Sequence, residues 1–257
     1  MQRRNFVKAV AALAAIPAVQ AVASPLEQNA KSKKEIYEWR IYTLKDSGAD
    51  FDAFLAGTLV PAYNRLGVTV GAFSLFRKEE VEKRHILFIY KDISAYLHVK
   101  HAIWEDKVFR SAAQVFYDAT APKPAYSNYE AYLCEAFDKI PVHRNPDKDR
   151  TLLEIRIYRS PNEEANQRKM RMFNSAEIDL FDKVGINSVA YGEVFAGPRN
   201  PAIMYLTWYK DEPTRAAAWK RFSDSDEWKR ISKLPEYAYT ATDNTSTFLE
   251  PLPYSQI

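Results

Sequence analysis

The chain has 257 residues, 47% apolar and 14% aromatic, with 36 basic against 33 acidic side chains and a formal charge of +3. This is ordinary globular composition, enough for one large or two small domains, and it excludes a disordered chain. The basic residues are scattered rather than gathered into a stripe, and neither GxGxxG nor GxxxxGK[ST] occurs among the 7 glycines; no nucleic acid partner is expected, and nucleotide binding lacks its usual sequence support.

Residues 1–23 read as an export signal, with Arg3, Arg4 and Lys8 as the positive region, an apolar run from Val7 to Val22, and Ala21-Val22-Ala23 as the small-residue cleavage site. The segment Arg3-Arg4-Asn5-Phe6-Val7-Lys8 resembles the bacterial twin-arginine signal, although Gln2 stands where Ser or Thr is usual. That resemblance implies a periplasmic or secreted protein that crosses the membrane already folded. The apolar run is short for a bilayer span and is interrupted by Pro17 and Gln20, so no membrane span is expected in the mature chain. Residues 24–34 are polar and lysine-rich, a tether. Cys134 is the single cysteine, which rules out an intramolecular disulfide, and its place in Tyr132-Leu133-Cys134 points to a buried structural thiol.

A first strand is predicted from Glu35 to Leu44. Phe51, Phe54, Leu55, Leu59, Ala62 and Leu66 then recur at helical spacing, with Pro61 expected to kink that helix or end its regular part, and Gly67 closes it. Val70–Arg77 and His85–Tyr90 read as an antiparallel hairpin across the charged turn at residues 78–83. An amphipathic stretch covers Ser94–Ala119 and ends before Pro122 and Pro124, and Ala125–Leu133 make a tyrosine-rich fourth strand. The order is β-α-β-β-α-β, the ferredoxin-like split unit.

Residues 135–150 show no periodicity and read as a linker, after which the pattern starts again. Glu38-Trp39-Arg40-Ile41-Tyr42 comes back as Glu154-Ile155-Arg156-Ile157-Tyr158 after 116 residues, and Tyr90-Lys91-Asp92 as Tyr209-Lys210-Asp211 after 119. A strand at Leu152–Tyr158 is followed by a helix at Asn162–Val184 closed by Gly185, strands at Ser188–Phe195 and Ala202–Tyr209, a helical region holding Trp219, Phe222, Trp228 and Ile231, and a last strand at Thr245–Leu249. The chain therefore reads as a tandem duplication, residues 35–134 and 151–257. Each sheet would leave one face bare unless the other covered it, so the expected fold is α+β, two tandem repeats packed as one α/β barrel with helices outside.

Tyr37-Glu38-Trp39-Arg40-Ile41-Tyr42-Thr43-Leu44, the helix end at Gly67 followed by a hairpin, Tyr90-Lys91-Asp92, and Ser225-Asp226-Glu227-Trp228 together resemble NIPSNAP proteins of the dimeric α/β barrel superfamily. The resemblance runs from Lys34 to the C-terminus, in both repeats. The second copy departs from it with Leu153 in place of the opening Tyr, and the first has Trp104-Glu105-Asp106 where an Asp-Glu-Trp segment is expected. It implies a fold and a habit of association, and no settled reaction.

Side chains alternate along a strand, so Glu38, Arg40 and Tyr42 share one face, as do Glu154, Arg156 and Tyr158, with Tyr37, Trp39, Ile41 and Leu153, Ile155, Ile157 on the other. If the apolar face takes the helices, the six polar residues line the barrel interior. There Arg40 or Arg156 would hold the anionic group of a small molecule, and a Glu or Tyr could move a proton; structural Glu-Arg pairs knitting the strands account for the same pattern. His98, His101 and Glu105 have the spacing of metal ligands on one helix face, but no second helix offers a His or Glu partner and a solvated face explains the same residues. His85 could hold haem by analogy with monooxygenases of the superfamily, His143 falls in the linker, and no metal site or cofactor is assigned. Three functions stay open: small-molecule binding in or beside the barrel, a cofactor-independent oxygenase or isomerase, and an interaction module with a filled barrel. Monomer and homodimer are both compatible with the repeats.

Overall fold

The computed structural model of the protein describes residues 34–118 and 124–257. The predicted export signal, the tether up to residue 33, and Pro122 lie outside the described residues.

In the first half of the chain, β1 (Ile36–Leu44) is followed by α1 (Ala49–Phe54), a π-helical turn at Leu55–Leu59, and α2 (Val60–Arg65). Next come β2 (Thr69–Leu75), β3 (Lys83–Tyr90), α3 (Ile93–Glu105), α4 (Lys107–Ala113) and β4 (Tyr126–Ala136). The second half runs in the same order: β5 (Leu152–Arg159), α5 (Glu163–Met172), a π turn at Phe173–Glu177, α6 (Ile178–Val184), β6 (Asn187–Ala196), β7 (Ala202–Tyr209), α7 (Glu212–Asp224), α8 (Asp226–Ile231) and β8 (Asp243–Pro251). Gly67 and Gly185 stand at φ +77° and +79°, the left-handed conformation that ends a helix at low cost only in glycine. Pro61 does not end its helix, which continues to Arg65. The second half carries the same π turn with no proline, so the bulge belongs to the architecture and Pro61 fits into it.

The strands close into one antiparallel barrel in the order β1-β3-β2-β8-β5-β7-β6-β4. β4 runs three residues past the predicted end because Leu133, Cys134, Glu135 and Ala136 pair with β6 to make one of the two seams between the halves. β2 and β8 make the other, with Phe73 opposite Pro251.

The faces of the sheet are reversed from the sequence expectation. Tyr37, Trp39, Leu153, Ile155 and Ile157 lie in the barrel interior with Phe73, Leu87, Met204 and Leu249. Tyr42 packs among Phe51, Phe54, Leu55 and Tyr63 under the first helical layer, and Tyr158 among Phe173, Phe181 and Tyr205 under the second. Glu38, Arg40, Tyr42, Glu154, Arg156 and Tyr158 therefore face the helices and do not line the interior. The physical reason is size and dryness: eight strands enclose just enough room for packed side chains, and charged groups there would lose water without gaining partners. Trp39 stacks on Phe73 with centroids 5.7 Å apart, and the void left in the interior measures about 20 Å³. That is room for a water molecule, not for an organic ligand.

Candidate functional site

The sequence builds a hollow over the outer face of the first half. Asp92 caps α3 by accepting the Ala95 amide at 2.8 Å. At Asp106 the backbone turns extended, ending α3, and its carboxylate caps α4 through the Phe109 amide at 3.0 Å while taking Arg65 Nη2 of α2 at 2.5 Å. The bent roof of α3 and α4 leaves a pocket of about 360 Å³ above β1, β3 and β4. Glu38, Arg40, Tyr90 and Ala131 form its floor, and Tyr63, Tyr96, Lys100, Trp104, Phe109, Tyr117 and Tyr129 its walls and mouth. A more open hollow of about 680 Å³ shares Trp104 and Tyr117 with it and adds Lys107 and Arg110.

On the floor, Arg40 Nε donates to Glu38 Oε1 at 2.7 Å, Nη1 to Tyr42 Oη at 3.3 Å and Nη2 to Tyr63 Oη at 3.5 Å, with the guanidinium 4.5 Å from the Phe88 ring centroid. Tyr90 Oη donates to Glu38 Oε2 at 2.9 Å. Burial works against the Arg40 cation, but Tyr42, Glu38 and Tyr63 around it hold its pKa well above the ordinary guanidinium value. Burial, reinforced by the Glu38 carboxylate, pushes the Tyr90 hydroxyl up, and burial partly offset by Arg40 takes Tyr42 to about 12. Glu38 and Arg40 cancel each other, so exposed Lys100 gives the pocket one net positive charge.

The equivalent place in the second half is filled. Asp211 caps α7 as Asp92 caps α3, and four and eight residues past the cap stand Arg215 and Trp219, where α3 has Tyr96 and Lys100. Ser246 faces Arg156 across β5 and β8, where Ala131 faces Arg40 across β1 and β4. Arg215 Nε and Nη2 each reach Glu154 at 2.8 Å, Trp219 Nε1 at 3.2 Å, Ser246 Oγ at 2.6 Å and Arg156 Nη1 at 2.5 Å. The Trp219 ring lies 4.5 Å from the Arg156 guanidinium, and Glu154 is 0% exposed. Burial alone would push the Glu154 carboxyl up; the Arg215 hydrogen bonds, the Arg156 charge and Ser246 outweigh it and hold it below its usual 4.5. Arg156 Nε and Tyr205 Oη both donate to Tyr158 Oη, at 3.0 and 2.8 Å.

The other residues singled out in the sequence lie outside this pocket. His85 is buried, and its Nδ1 accepts the Trp39 indole N–H at 3.1 Å; the ring is packed on all sides and offers no open face to an iron. His98 and His101 are exposed on α3, and among the described residues no group of three or more His, Cys, Asp or Glu is arranged to hold a metal. His143 Nδ1 lies 3.0 Å from Glu35 Oε2. Cys134 is buried, and burial pushes its thiol up, away from thiolate reactivity. Sequence reasoning missed Tyr63, Tyr90, Tyr96 and Lys100 as pocket residues and Arg215 and Trp219 as the filling of the second site. The signal was present: a helix that carries Arg and Trp four and eight residues past its cap, on the side facing the sheet, calls for a carboxylate beneath it.

Residues 153–256 match the NIPSNAP family model. The crystal structure of a candidate monooxygenase of Fusobacterium nucleatum superposes with a TM-score of 0.54 at 12% identity, over 86% of this chain and 93% of its own. A candidate monooxygenase of Lactobacillus acidophilus does so with a TM-score of 0.57 at 9% identity, over 85% and 94%. A NIPSNAP family protein of Agrobacterium tumefaciens covers 42% of this chain and 98% of its own at 15% identity, with a TM-score of 0.38. The two longer matches share this chain's fold, a closed antiparallel barrel with helices outside. No curated protein matches the chain.

Proposed function

We propose that this chain, which matches the NIPSNAP family model over residues 153–256, binds a small aromatic molecule bearing an anionic group in the pocket between the outer face of β1, β3 and β4 and helices α2–α4. The observation that carries the reading is the difference between the halves: Arg215 and Trp219 close the site over Glu154, whereas Tyr96 and Lys100 leave about 360 Å³ open over Glu38. Ligand pockets commonly span roughly 300–1,000 Å³ with mostly apolar walls and a few polar groups fixing orientation. The volume here falls in that range; the lining is more polar than is usual, with aromatic rings on the walls, a positive residue at the mouth and the Glu38–Arg40 pair at the floor to fix a ligand's orientation. The common element order, helix caps and Glu-Arg-Tyr strands support descent of both halves from one repeat, the second kept as scaffold and the first as binding site. The twin-arginine-like segment supports a bacterial periplasmic or secreted location.

The test is to fill the first site with the second site's own side chains. A Tyr96→Arg, Lys100→Trp, Ala131→Ser variant is compared with the unaltered protein by native mass spectrometry after purification from the periplasm, and by titration with aromatic acids. The reading expects the unaltered protein to carry or take up ligand and the filled variant, equally folded by circular dichroism, to take up none. Retention of ligand by the filled variant would overturn it.

A second reading is favoured by one contact, Tyr90 Oη on Glu38 Oε2 at 2.9 Å on the pocket floor. A carboxylate and a phenol so placed can pass a proton to or from a bound molecule, as an isomerase or a cofactor-independent oxygenase requires. Turnover of a bound compound that is lost in Tyr90→Phe while binding persists supports this reading; unchanged turnover refutes it.

A further inference from the structure

A carboxylate has about four acceptor positions. Glu154 fills its own with five donors from Arg156, Arg215, Trp219 and Ser246. Glu38, its equivalent on β1, accepts two among the described residues, from Arg40 and Tyr90, and its side chain is only 11% exposed. About two acceptor positions thus remain at the floor of the pocket, open to water or to a ligand group that donates to them. The second half indicates what chemistry completes such a site. There an indole N–H points at the carboxylate, with its ring against the neighbouring arginine and helix α7 supplying it from the position Lys100 occupies on α3. In the first half the indole is gone, the space is open, and an ammonium stands at the mouth instead.

We infer, resting on the binding function proposed above, that the ligand of the first pocket is a planar aromatic acid with an N–H or O–H donor on its ring, the donor meeting Glu38 and the acid group facing Lys100. The ring takes the place that Trp219 fills in the other half, between Tyr96 and Tyr63. An acid group at the mouth also matches Lys107 and Arg110, which line the adjoining hollow. A ligand cation at Glu38 is disfavoured, since Arg40 already neutralises that carboxylate and Lys100 adds a second positive charge.

Three probes separate the parts of this inference: indole-3-acetate, its N-methyl derivative, and 3-methylindole, titrated calorimetrically into the full protein. The expected result is binding of indole-3-acetate, weakened about tenfold or more by N-methylation, as loss of a hydrogen bond to a charged acceptor implies. Lys100→Gln, a change at an exposed residue that leaves the floor intact, should weaken indole-3-acetate and leave 3-methylindole unaffected. Equal binding of the N-methyl derivative, or no effect of Lys100→Gln on the acid, overturns the inference while leaving the pocket as a binding site. No saturable binding of indole-3-acetate overturns it as well. If the probes bind and the filled variant binds them equally, the site itself is misplaced and the broader function falls.

Discussion

Arg215 on α7 grips Glu154 on β5 with two hydrogen bonds of 2.8 Å, and the residue at its place on α3 is Tyr96, which makes no bond to Glu38. One pair turns the second half into a sealed support; its absence opens the first. Arg215→Ala removes two charged donors from a fully buried carboxylate and should cost about 3 kcal/mol of stability. Tyr96→Ala, at a half-buried wall residue, should cost much less. Urea unfolding midpoints of the two variants check the contrast.

The Lys169–Glu177 pair lies buried under the second helical layer, Nζ 3.3 Å from Oε2. Burial pushes the Glu177 carboxyl up and Lys169 offsets this only in part. At the same places relative to its π turn, the first half holds Phe51 and Leu59, both buried. Lys169→Phe alone should destabilise by about 3 kcal/mol because it strands a buried carboxyl, while Lys169→Phe with Glu177→Leu should recover most of the loss. Thermal unfolding of the single and double variants measures it; a double variant as unstable as the single would contradict the prediction.

Acid sensitivity should appear well above the carboxylate range. Burial, with Lys83 nearby, pushes His85 from 6.5 to about 3, so the ring is neutral in the folded barrel and protonates near 6.5 once unfolded. A depressed folded value means the contribution is complete above pH 6.5 and is lost as pH falls towards 3, by up to about 1.4 kcal/mol per pH unit. His85→Gln, which keeps an acceptor for Trp39, should flatten urea-derived stability between pH 6.5 and 4.5. Below that window Glu154 adds its own loss, because its carboxyl is held low when folded and protonation breaks its bonds to Arg215.

The seam between the halves tolerates little volume. A Cβ on Gly192 would lie 2.7 Å from Cys134 Cβ and 3.2 Å from the Glu135 carbonyl oxygen. Gly192→Ala should therefore force β4 and β6 apart and destabilise by about 1–3 kcal/mol. Amide exchange should be faster at Cys134 and Ala136 than at the β5–β7 pairing, which the substitution does not touch.

The barrel and its element order were legible because Glu38-Trp39-Arg40-Ile41-Tyr42 and its second copy mark the strands, and because Gly67 and Gly185 mark where helices end. The direction of the faces was not. Alternation tells that Trp39 and Arg40 point opposite ways, yet β3 is buried on both sides, so hydrophobicity there cannot say which side is inside. Assigning the apolar face to the helices assumed that polar residues seek a wet cavity. Here they seek polar groups brought by the helices, Arg215 and Trp219 in one half and Tyr63 in the other. The pocket was equally hidden, since it depends on what Tyr96, Lys100 and Ala131 fail to fill, and an unfilled volume leaves no periodic trace in a sequence.

A ligand in the outer pocket would have the barrel wall between it and the interior, and tryptophan positions make that placement measurable. Trp104 stands 56% exposed at the pocket mouth, Trp39 is buried in the interior, and the chain has five tryptophans in all. In protein labelled with 5-fluorotryptophan, with signals assigned through Trp104→Phe and Trp39→Phe, fluorine NMR during titration with an aromatic acid should show the Trp104 resonance moving and the Trp39 resonance still. Movement of Trp39 with Trp104 unchanged would put the ligand inside the barrel and rule out the outer pocket.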